Sequence, residues 1–250
     1  MKKVSCILTP LLLAVAALSS LTAGAPARRF ELLAESPQFW KLLDHHAQLT
    51  TVATGFGFTE GPVWDPSGFL YVSDEEINKI FRVYLADGRK EEVLSLGDPD
   101  GNTYDRERHL LDCASVLRAI IQVEPQGHYQ ILADRYQGKR FNSPNDVIIG
   151  PDGALANGRM FGEEPGGKGD GVPDGIKIDK HGNLYVTGPK GIWVWDEQGH
   201  HLGTIAMPEQ PANLAWGDAD YGTLYITATT SVYRLPTKTH GFVPYLPTSK

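Results

Sequence analysis

The sequence predicts an all-β protein of the β-propeller class. Short apolar runs alternate with turns rich in Gly and Asp, and helical periodicity is scarce after about residue 50. Residues 173–202 show the pattern most fully, as three short β-runs separated by turns at 180–183 and 188–191. This arrangement is typical of an antiparallel meander.

A repeating unit supports the propeller. Each unit has an apolar strand, a turn containing Asp or Gly, and a strand of the Leu-Tyr-Val-Thr type. The central leucines are Leu70, Leu110, Leu155, Leu184 and Leu224. Their spacing is close to the ~40–45 residues of a four-stranded blade, except once. Because one blade cannot bury both of its faces, we expect the blades to stack around an axis.

The exception lies between the third and fourth units, which are only about 29 residues apart. Residues 163–171 are rich in Gly and acidic side chains and are predicted to form a loop. Regular spacing would need roughly 60 more residues here. We therefore predict a propeller over residues 51–250 that is irregular near 155–172, with one or more blades missing or irregular after an internal deletion. Residues 28–50 are predicted to be a lead-in with some helical character.

Composition limits the cellular setting and the partners. The formal net charge is −7 without a basic cluster, which argues against nucleic-acid binding. Residues 1–27 carry Lys2-Lys3, an apolar run and small residues before Ala27, the pattern of a signal peptide. We expect a periplasmic or secreted monomer with no integral membrane span after signal removal. Cys6 would then be lost, so Cys113 could not form an internal disulfide.

Four stretches resemble the gluconolactonase family, which includes regucalcin (senescence marker protein) and luciferin-regenerating enzyme. They are Thr59-Glu60-Gly61-Pro62-Val63-Trp64, Arg140-Phe141-Asn142-Ser143-Pro144-Asn145-Asp146, Pro173-Asp174-Gly175-Ile176 with Gly182-Asn183-Leu184-Tyr185-Val186-Thr187, and Ala212-Asn213-Leu214-Ala215-Trp216-Gly217. The likeness covers nearly all of residues 50–240. It implies a six-bladed propeller of the gluconolactonase type, with one divalent metal in its central channel and lactone hydrolysis as its activity.

The resemblance also implies roles for individual residues. Glu60 corresponds to the first metal ligand, and Asp174 to a ligand that also serves as the general base. Asn145 resembles a channel asparagine beside the metal, and we expect it to bind both metal and substrate. Asp146, its neighbour, is expected to bind substrate. The family has a further asparagine ligand in a Pro-Asn-Gly stretch, which this sequence lacks.

The predicted chemistry follows from these residue types. Carboxylates that converge in a narrow channel repel one another and are costly to desolvate unless a cation joins them. Oxygen ligands favour Ca²⁺, which we expect, with Mg²⁺, Mn²⁺ and Zn²⁺ as alternatives. The metal could polarise the carbonyl of a sugar-type lactone and acidify a bound water, whose proton Asp174 could accept. This predicts a hydrolase of the carboxylic-ester class.

Two other hypotheses also fit the sequence. Each of the stretches around Glu60, Asn145 and Asp174 is also an ordinary turn signal when taken alone. The chain could therefore be a non-enzymatic propeller that binds a small ligand or a protein partner. It could equally be an inactive, shortened homologue.

Overall fold

A computed structural model of the chain describes residues 27–124, 126–149, 164–167 and 171–244. The predicted signal peptide and most of the predicted irregular stretch, including Leu155, lie outside these residues. No helix in the described part is both long and apolar enough to cross a bilayer.

The regular secondary structure of the described residues is almost entirely β-strand, which confirms the predicted fold class. One short helix, α1 (Phe39–Leu42), lies in the lead-in segment. The strands are β1 (Glu31–Ala34), β2 (Thr50–Thr54), β3 (Thr59–Asp65), β4 (Phe69–Asp74), β5 (Lys79–Tyr84), β6 (Lys90–Ser95), β7 (Pro99–Tyr104), β8 (Leu110–Ala114), β9 (Ala119–Val123), β10 (Tyr129–Ala133), β11 (Arg135–Tyr136), β12 (Lys139–Arg140), β13 (Ile176–Ile178), β14 (Leu184–Gly188), β15 (Gly191–Trp195), β16 (His201–Ala206), β17 (Pro211–Gly217), β18 (Thr223–Ala228) and β19 (Ser231–Pro236).

Four antiparallel sheets form the blades. Sheet I has the order β3-β4-β5-β6, and sheet II has the order β7-β8-β9-β10. Sheet III runs β13-β14-β15-β16 and gains β1 at its outer edge, while sheet IV runs β17-β18-β19 and gains β2. Four of the five predicted central leucines lie on the second strand of a sheet, namely Leu70, Leu110, Leu184 and Leu224.

Asp side chains close the turns that join neighbouring strands. Asp65, Asp105 and Asp179 each accept a hydrogen bond from the backbone N–H two residues later, at 2.8–2.9 Å. Asp196 does the same between β15 and β16. These Asx-type turns explain why the sequence alternates short apolar runs with Asp and Gly.

Apolar clusters fill three interfaces between the sheets. One joins sheets III and IV and includes Phe39 of α1, a second joins sheets IV and I, and a third joins sheets I and II. The blades thus stack in the order III–IV–I–II, and their first strands adjoin one another: β13 and β14 contact β17, β17 contacts β3, and β3 contacts β7.

Within the described residues, no four-stranded sheet lies between sheets II and III. The third repeating unit of the sequence opens at 144–149, where we expect its first strand, but these residues form no strand in the structure. Their backbone bonds instead to sheet II, where the Gly101 N–H donates to Asn145 O at 2.8 Å and Ser115 Oγ donates to Pro144 O. Ile131 of sheet II and Ile176 of sheet III are at least half exposed. A β-strand is stable only when its backbone groups bond to a neighbouring strand. Within the described residues, no strand pairs with residues 144–149.

Candidate active site

A cavity of about 370 Å³ lies where the first strands of the sheets meet. Its wall is mostly apolar, but five polar side chains (Asn102, Thr103, Asp146, Asp174 and Lys177) reach it from three different parts of the chain. The lining residues are Pro62, Val63, Asn102, Thr103, Asp146, Val147, Ile148, Asp174, Ile176, Lys177, Ala215, Trp216, Phe242, Val243 and Pro244.

Glu60 is buried beside this cavity, with only 2% of its surface exposed. It lies where β3 bulges between Glu60 and Val63, and Gly61 adopts a φ of +49° there. The local geometry lets Glu60 Oε2 accept hydrogen bonds from the Gly61 N–H at 2.9 Å and from Asn213 Nδ2 at 3.0 Å. Burial raises the pKa of Glu60 to about 8, and the nearby charges of Asp174 and Asp146 act in the same direction.

Asn213, which is 98% buried, organises the polar centre. Besides Glu60, its Nδ2 reaches Asp146 Oδ2 at 3.3 Å, and its Oδ1 accepts a hydrogen bond from Lys177 Nζ at 3.2 Å. It lies at a bulge near the start of β17, the position in sheet IV that matches Glu60 in sheet I. One amide therefore connects two carboxylates and an ammonium group that come from distant segments.

Lys177 is the positive group of the cavity. It belongs to β13, and the neighbouring residues Ile176 and Ile178 are exposed, so its partly buried side chain lies on the inner side of the strand. Burial lowers the pKa of Lys177, and the charges of Asp146 and Glu60 oppose this effect. The site therefore brings a cation to the same cavity as Asp146 and Asp174.

Asp174 precedes β13 and lines the cavity. Its backbone N–H donates to Thr187 O at 3.1 Å, which fixes the segment against β14. Partial burial and the charge of Asp146 raise the pKa of Asp174. The structure thus brings the predicted base close enough to Glu60 and Asp146 for their charges to interact.

Asn145 and Asp146 lie in the loop that covers the start of sheet II. Asn145 Nδ2 donates to Asp100 Oδ2 at 2.9 Å, whereas Asp146 contacts Asn213. The two neighbouring side chains therefore contact different parts of the site. Asn145 contacts the carboxylate of Asp100, and Asp146 contacts the amide of Asn213.

A compact acidic group lies next to Glu60. One carboxylate oxygen each from Glu60, Glu75 and Asp100 lies within 4.8 Å of the other two, and Asp174 is outside this group. Burial raises the pKa of Asp100, and the charges of Glu75 and Glu60 add to this effect. Burial and the charge of Asp98 raise the pKa of Glu75, whereas a hydrogen bond with Asp100 acts in the opposite direction. Oxygen ligands of this kind suit a hard divalent cation, so the donor set fits the metal that the sequence predicts.

Four further residues of the site, Glu75, Asp100, Lys177 and Asn213, were not predicted from the sequence. A signal for Asp100 was present, because Pro99-Asp100-Gly101 repeats the triplet Pro173-Asp174-Gly175. The bulges of β3, β7 and β17 then place Glu60, Asp100 and Asn213 at matching points of three sheets. Glu75 and Lys177 carried no such signal.

Comparisons with known proteins agree with this architecture. The profile of the SMP-30/Gluconolactonase/LRE-like region matches residues 58–170 and 162–230. The gluconolactonase of Zymomonas mobilis is 26% identical over 313 aligned positions, which cover 82% of this chain and 86% of that protein. Since the alignment is longer than the 250-residue chain, it includes positions that only the relative occupies.

Solved structures share the fold. A gluconolactonase from Xanthomonas campestris matches with a TM-score of 0.75 at 22% identity, covering 86% of this chain and 99% of that one. Regucalcin from Agrobacterium tumefaciens, a calcium-binding protein, matches with a TM-score of 0.51 at 15% identity, covering 76% and 94%. At these identities the two structures support the propeller-type fold alone.

Proposed function

The chain belongs to the SMP-30/Gluconolactonase/LRE-like family, and from this premise we propose that it hydrolyses a sugar-type lactone with the help of a divalent metal. The observation that carries the proposal is the cavity, in which Asp174, Asp146 and Lys177 meet beside buried Glu60. A base and a cation that share one enclosed space are what the opening of a cyclic ester requires.

The cavity offers a substrate two kinds of contact, one apolar and one through hydrogen bonds. Ile148, Ile176 and Trp216 offer an apolar surface for the carbon face of a ring. Asp146 can accept hydrogen bonds from sugar hydroxyl groups, since its Oδ2 is held in place by Asn213. We therefore expect a polyhydroxylated lactone to bind more tightly than a plain alkyl lactone of the same ring size.

Asp174 is the proposed general base. It would accept a proton from water as the water oxygen forms a bond to the lactone carbonyl carbon. The raised pKa of Asp174 makes it a stronger base than an exposed carboxylate. When the bond between the carbonyl carbon and the ring oxygen breaks, the ring oxygen takes up the proton. One lactone and one water thus give one hydroxy acid.

Lys177 would stabilise the negative charge that develops on the carbonyl oxygen. Its ammonium group is fixed by Asn213 and lies in the same cavity as Asp174. A divalent cation held at Glu60 and its acidic neighbours would supply further polarisation of the carbonyl.

The test is ring opening of glucono-δ-lactone by the purified full chain, followed with a pH indicator against the spontaneous rate. We expect Asp174→Asn to lower kcat by about 10²- to 10⁴-fold. Asp87→Asn, at an exposed turn away from the cavity, is the matched control and should leave kcat unchanged. A folded protein that never exceeds the spontaneous rate on δ- or γ-lactones would refute the proposal and favour a ligand-binding propeller.

We also propose that the protein acts in the periplasm or outside the cell, after loss of residues 1–27. Fractionation of cells expressing the full chain, with mass measurement of the product, tests this. A cytoplasmic protein of full mass would contradict it.

A further inference from the structure

We propose that the cavity takes a lactone that carries an apolar substituent, and that Phe242 selects for this substituent. The lactone part of the inference rests on the proposed function, whereas the selection of an apolar group rests on the walls of the cavity. The ring would lie at the polar end of the cavity, beside Asp174 and Lys177, and the substituent would extend toward Phe242.

The cavity has a polar end because polar residues stand at matching points near the starts of the four innermost strands. These residues are Glu60, Asp100, Asp174 and Asn213. The cavity is lined by the positions that follow two or three residues later, namely Pro62 and Val63, Asn102 and Thr103, Ile176 and Lys177, and Ala215 and Trp216. A strand advances about 3.3 Å per residue, so the cavity extends roughly 7–10 Å beyond the polar residues.

The other end of the cavity is apolar. The C-terminal wall (residues 241–244) supplies Phe242, Val243 and Pro244, and Ile148 lines the same cavity. The Phe242 N–H donates to Ile178 O at 3.0 Å, four positions beyond Asp174. The wall therefore lies roughly 13 Å along the strand from the proposed base.

The C-terminal wall is held firmly against the sheets. Gly241 pairs with Asp179 in an antiparallel bridge, and it packs so closely on Trp216 that an added Cβ would overlap the indole. Trp216 Nε1 donates at 2.8 Å to Ile178 O, the carbonyl that also accepts from Phe242. A wall fixed in this way favours binding, because little conformational entropy is lost when a ligand covers it.

Three large apolar side chains that line the cavity are strongly exposed. Ile148 is 69% exposed, Ile176 is 50% exposed and Phe242 is 42% exposed. Exposed apolar side chains grouped at one cavity mark a binding surface. A lactone that carries only hydroxyl groups would leave these side chains in water, whereas an alkyl or aryl substituent would cover them. The substituent thus adds contacts that the hydroxyl groups do not make.

The size of the cavity and the family match agree with this assignment. A volume of about 370 Å³ lies within the ~300–1,000 Å³ of pockets that enclose drug-sized ligands. The C-terminal wall lies beyond residue 230, where the match to the family profile ends. The family resemblance therefore assigns Phe242 no role, and its place in the cavity is a feature of this chain.

Binding is tested by calorimetry with two glucosides that differ only in their apolar group, hexyl β-glucoside and methyl β-glucoside. We expect the full chain to bind the hexyl compound at least about tenfold more tightly, since each buried methylene contributes about fourfold. Phe242→Ser should reduce this preference at least about threefold, and Phe242→Leu, which stays apolar, should keep it within about twofold. Val116→Ser is the matched control, because Val116 is 66% exposed and does not line the cavity.

Hydrolysis is tested with δ-decalactone and δ-valerolactone, which differ only by a pentyl group. We expect kcat/KM to be at least about tenfold higher for δ-decalactone, through a lower KM. Phe242→Ser should lower this ratio, and Val116→Ser should leave it unchanged.

Two results would overturn the selection of an apolar substituent. One is equal affinity of the wild type for the two glucosides, and the other is a preference that Phe242→Ser leaves intact. Neither glucoside is a lactone, so binding and hydrolysis fail separately. A retained preference for the hexyl compound without hydrolysis of either lactone would support the role of Phe242 and refute the proposed function.

Discussion

The side-chain amide of Asn213 donates a hydrogen bond to Glu60 Oε2 at 3.0 Å, across 153 positions of the chain. This contact joins sheet IV to sheet I at the point where both inner strands bulge. The same amide also holds Asp146 and Lys177. A single buried residue thus sets the distances between the charged groups of the cavity.

Replacement of Asn213 by Ala should damage both stability and activity. The change leaves Glu60 without one of its two donors and frees Lys177 and Asp146, so we expect kcat/KM for lactone hydrolysis to fall at least about tenfold. The free energy of unfolding should fall by about 1–3 kcal/mol, because the remaining buried groups are unsatisfied. Urea unfolding and steady-state kinetics measure the two effects. Unchanged values for both would show that the hydrogen bonds of the Asn213 side chain are unimportant.

Asn213→Asp provides a matched variant of nearly equal volume. It replaces the donor by a carboxylate that faces Glu60 and Asp146, so repulsion is added to the loss of the hydrogen bond. We expect it to be less stable than Asn213→Ala at pH 8. A variant that is more stable than Asn213→Ala would show that the local charges are already neutralised.

The charge of Lys177 is tested by a pair of substitutions. Lys177→Met keeps the length of the side chain but removes the ammonium group, and we expect kcat to fall by about 10²-fold, as for the loss of a donor to a developing oxyanion. Lys177→Arg keeps the charge and should lose less. If both variants lose activity equally, the role of Lys177 is packing and not charge.

Substitution of Gly61 by Ala tests the backbone geometry that positions Glu60. Its φ is +49°, and an added Cβ would overlap Asp100 O and the Asn102 backbone. Gly68 also has a positive φ, of +89°, but a Cβ there would meet nothing within 4 Å. Gly68→Ala should therefore cost only about 1–2 kcal/mol for the left-handed conformation, whereas Gly61→Ala should cost clearly more. Equal losses in urea unfolding would contradict the predicted overlap.

The sequence was a good guide to local structure. The predicted meander over 173–202 corresponds to β13, β14 and β15, because the strands are adjacent in sequence and their turns carry Asp and Gly. It was a poor guide to contacts between distant segments. β1 and β2 pair with β16 and β19, which lie more than 150 residues away, and no local pattern specifies such a partner.

The residues of the candidate site also differ in whether the sequence could predict them. Glu60 and Asp174 were predicted as site residues from the resemblance; in the structure Asp174 lines the cavity, and Glu60 is buried beside it. Asn213 and Glu75 were missed because their importance depends on which sheets become neighbours. The strand predicted at 144–149 was wrong for a related reason. Its residues have strand propensity, but no strand of the described residues pairs with them, and they bond to Gly101 and Ser115 as a loop.

Asp65 gives a pH-dependent prediction away from the cavity. It accepts hydrogen bonds from Tyr104 Oη at 2.5 Å and from the Ser67 N–H at 2.8 Å, and Arg108 lies 3.5 Å away. Burial raises the pKa of Asp65, but these contacts outweigh it, and the net pKa is lowered. A carboxyl group with a lowered pKa in the folded state stabilises the protein above its unfolded pKa of about 3.9. That contribution disappears as pH falls through the folded-state pKa.

Asp65→Asn should therefore lower the free energy of unfolding by about 1 kcal/mol at pH 7, where the wild-type carboxylate is charged. The difference should hold down to about pH 4, near the unfolded pKa, and shrink below it, because protonation of Asp65 then removes the same interactions from the wild type. Urea unfolding of both proteins from pH 7 to pH 3 measures it, and Asp87→Asn is the exposed control. A difference that stays constant across this range would show that Asp65 stabilises the turn through its shape and not through its charge.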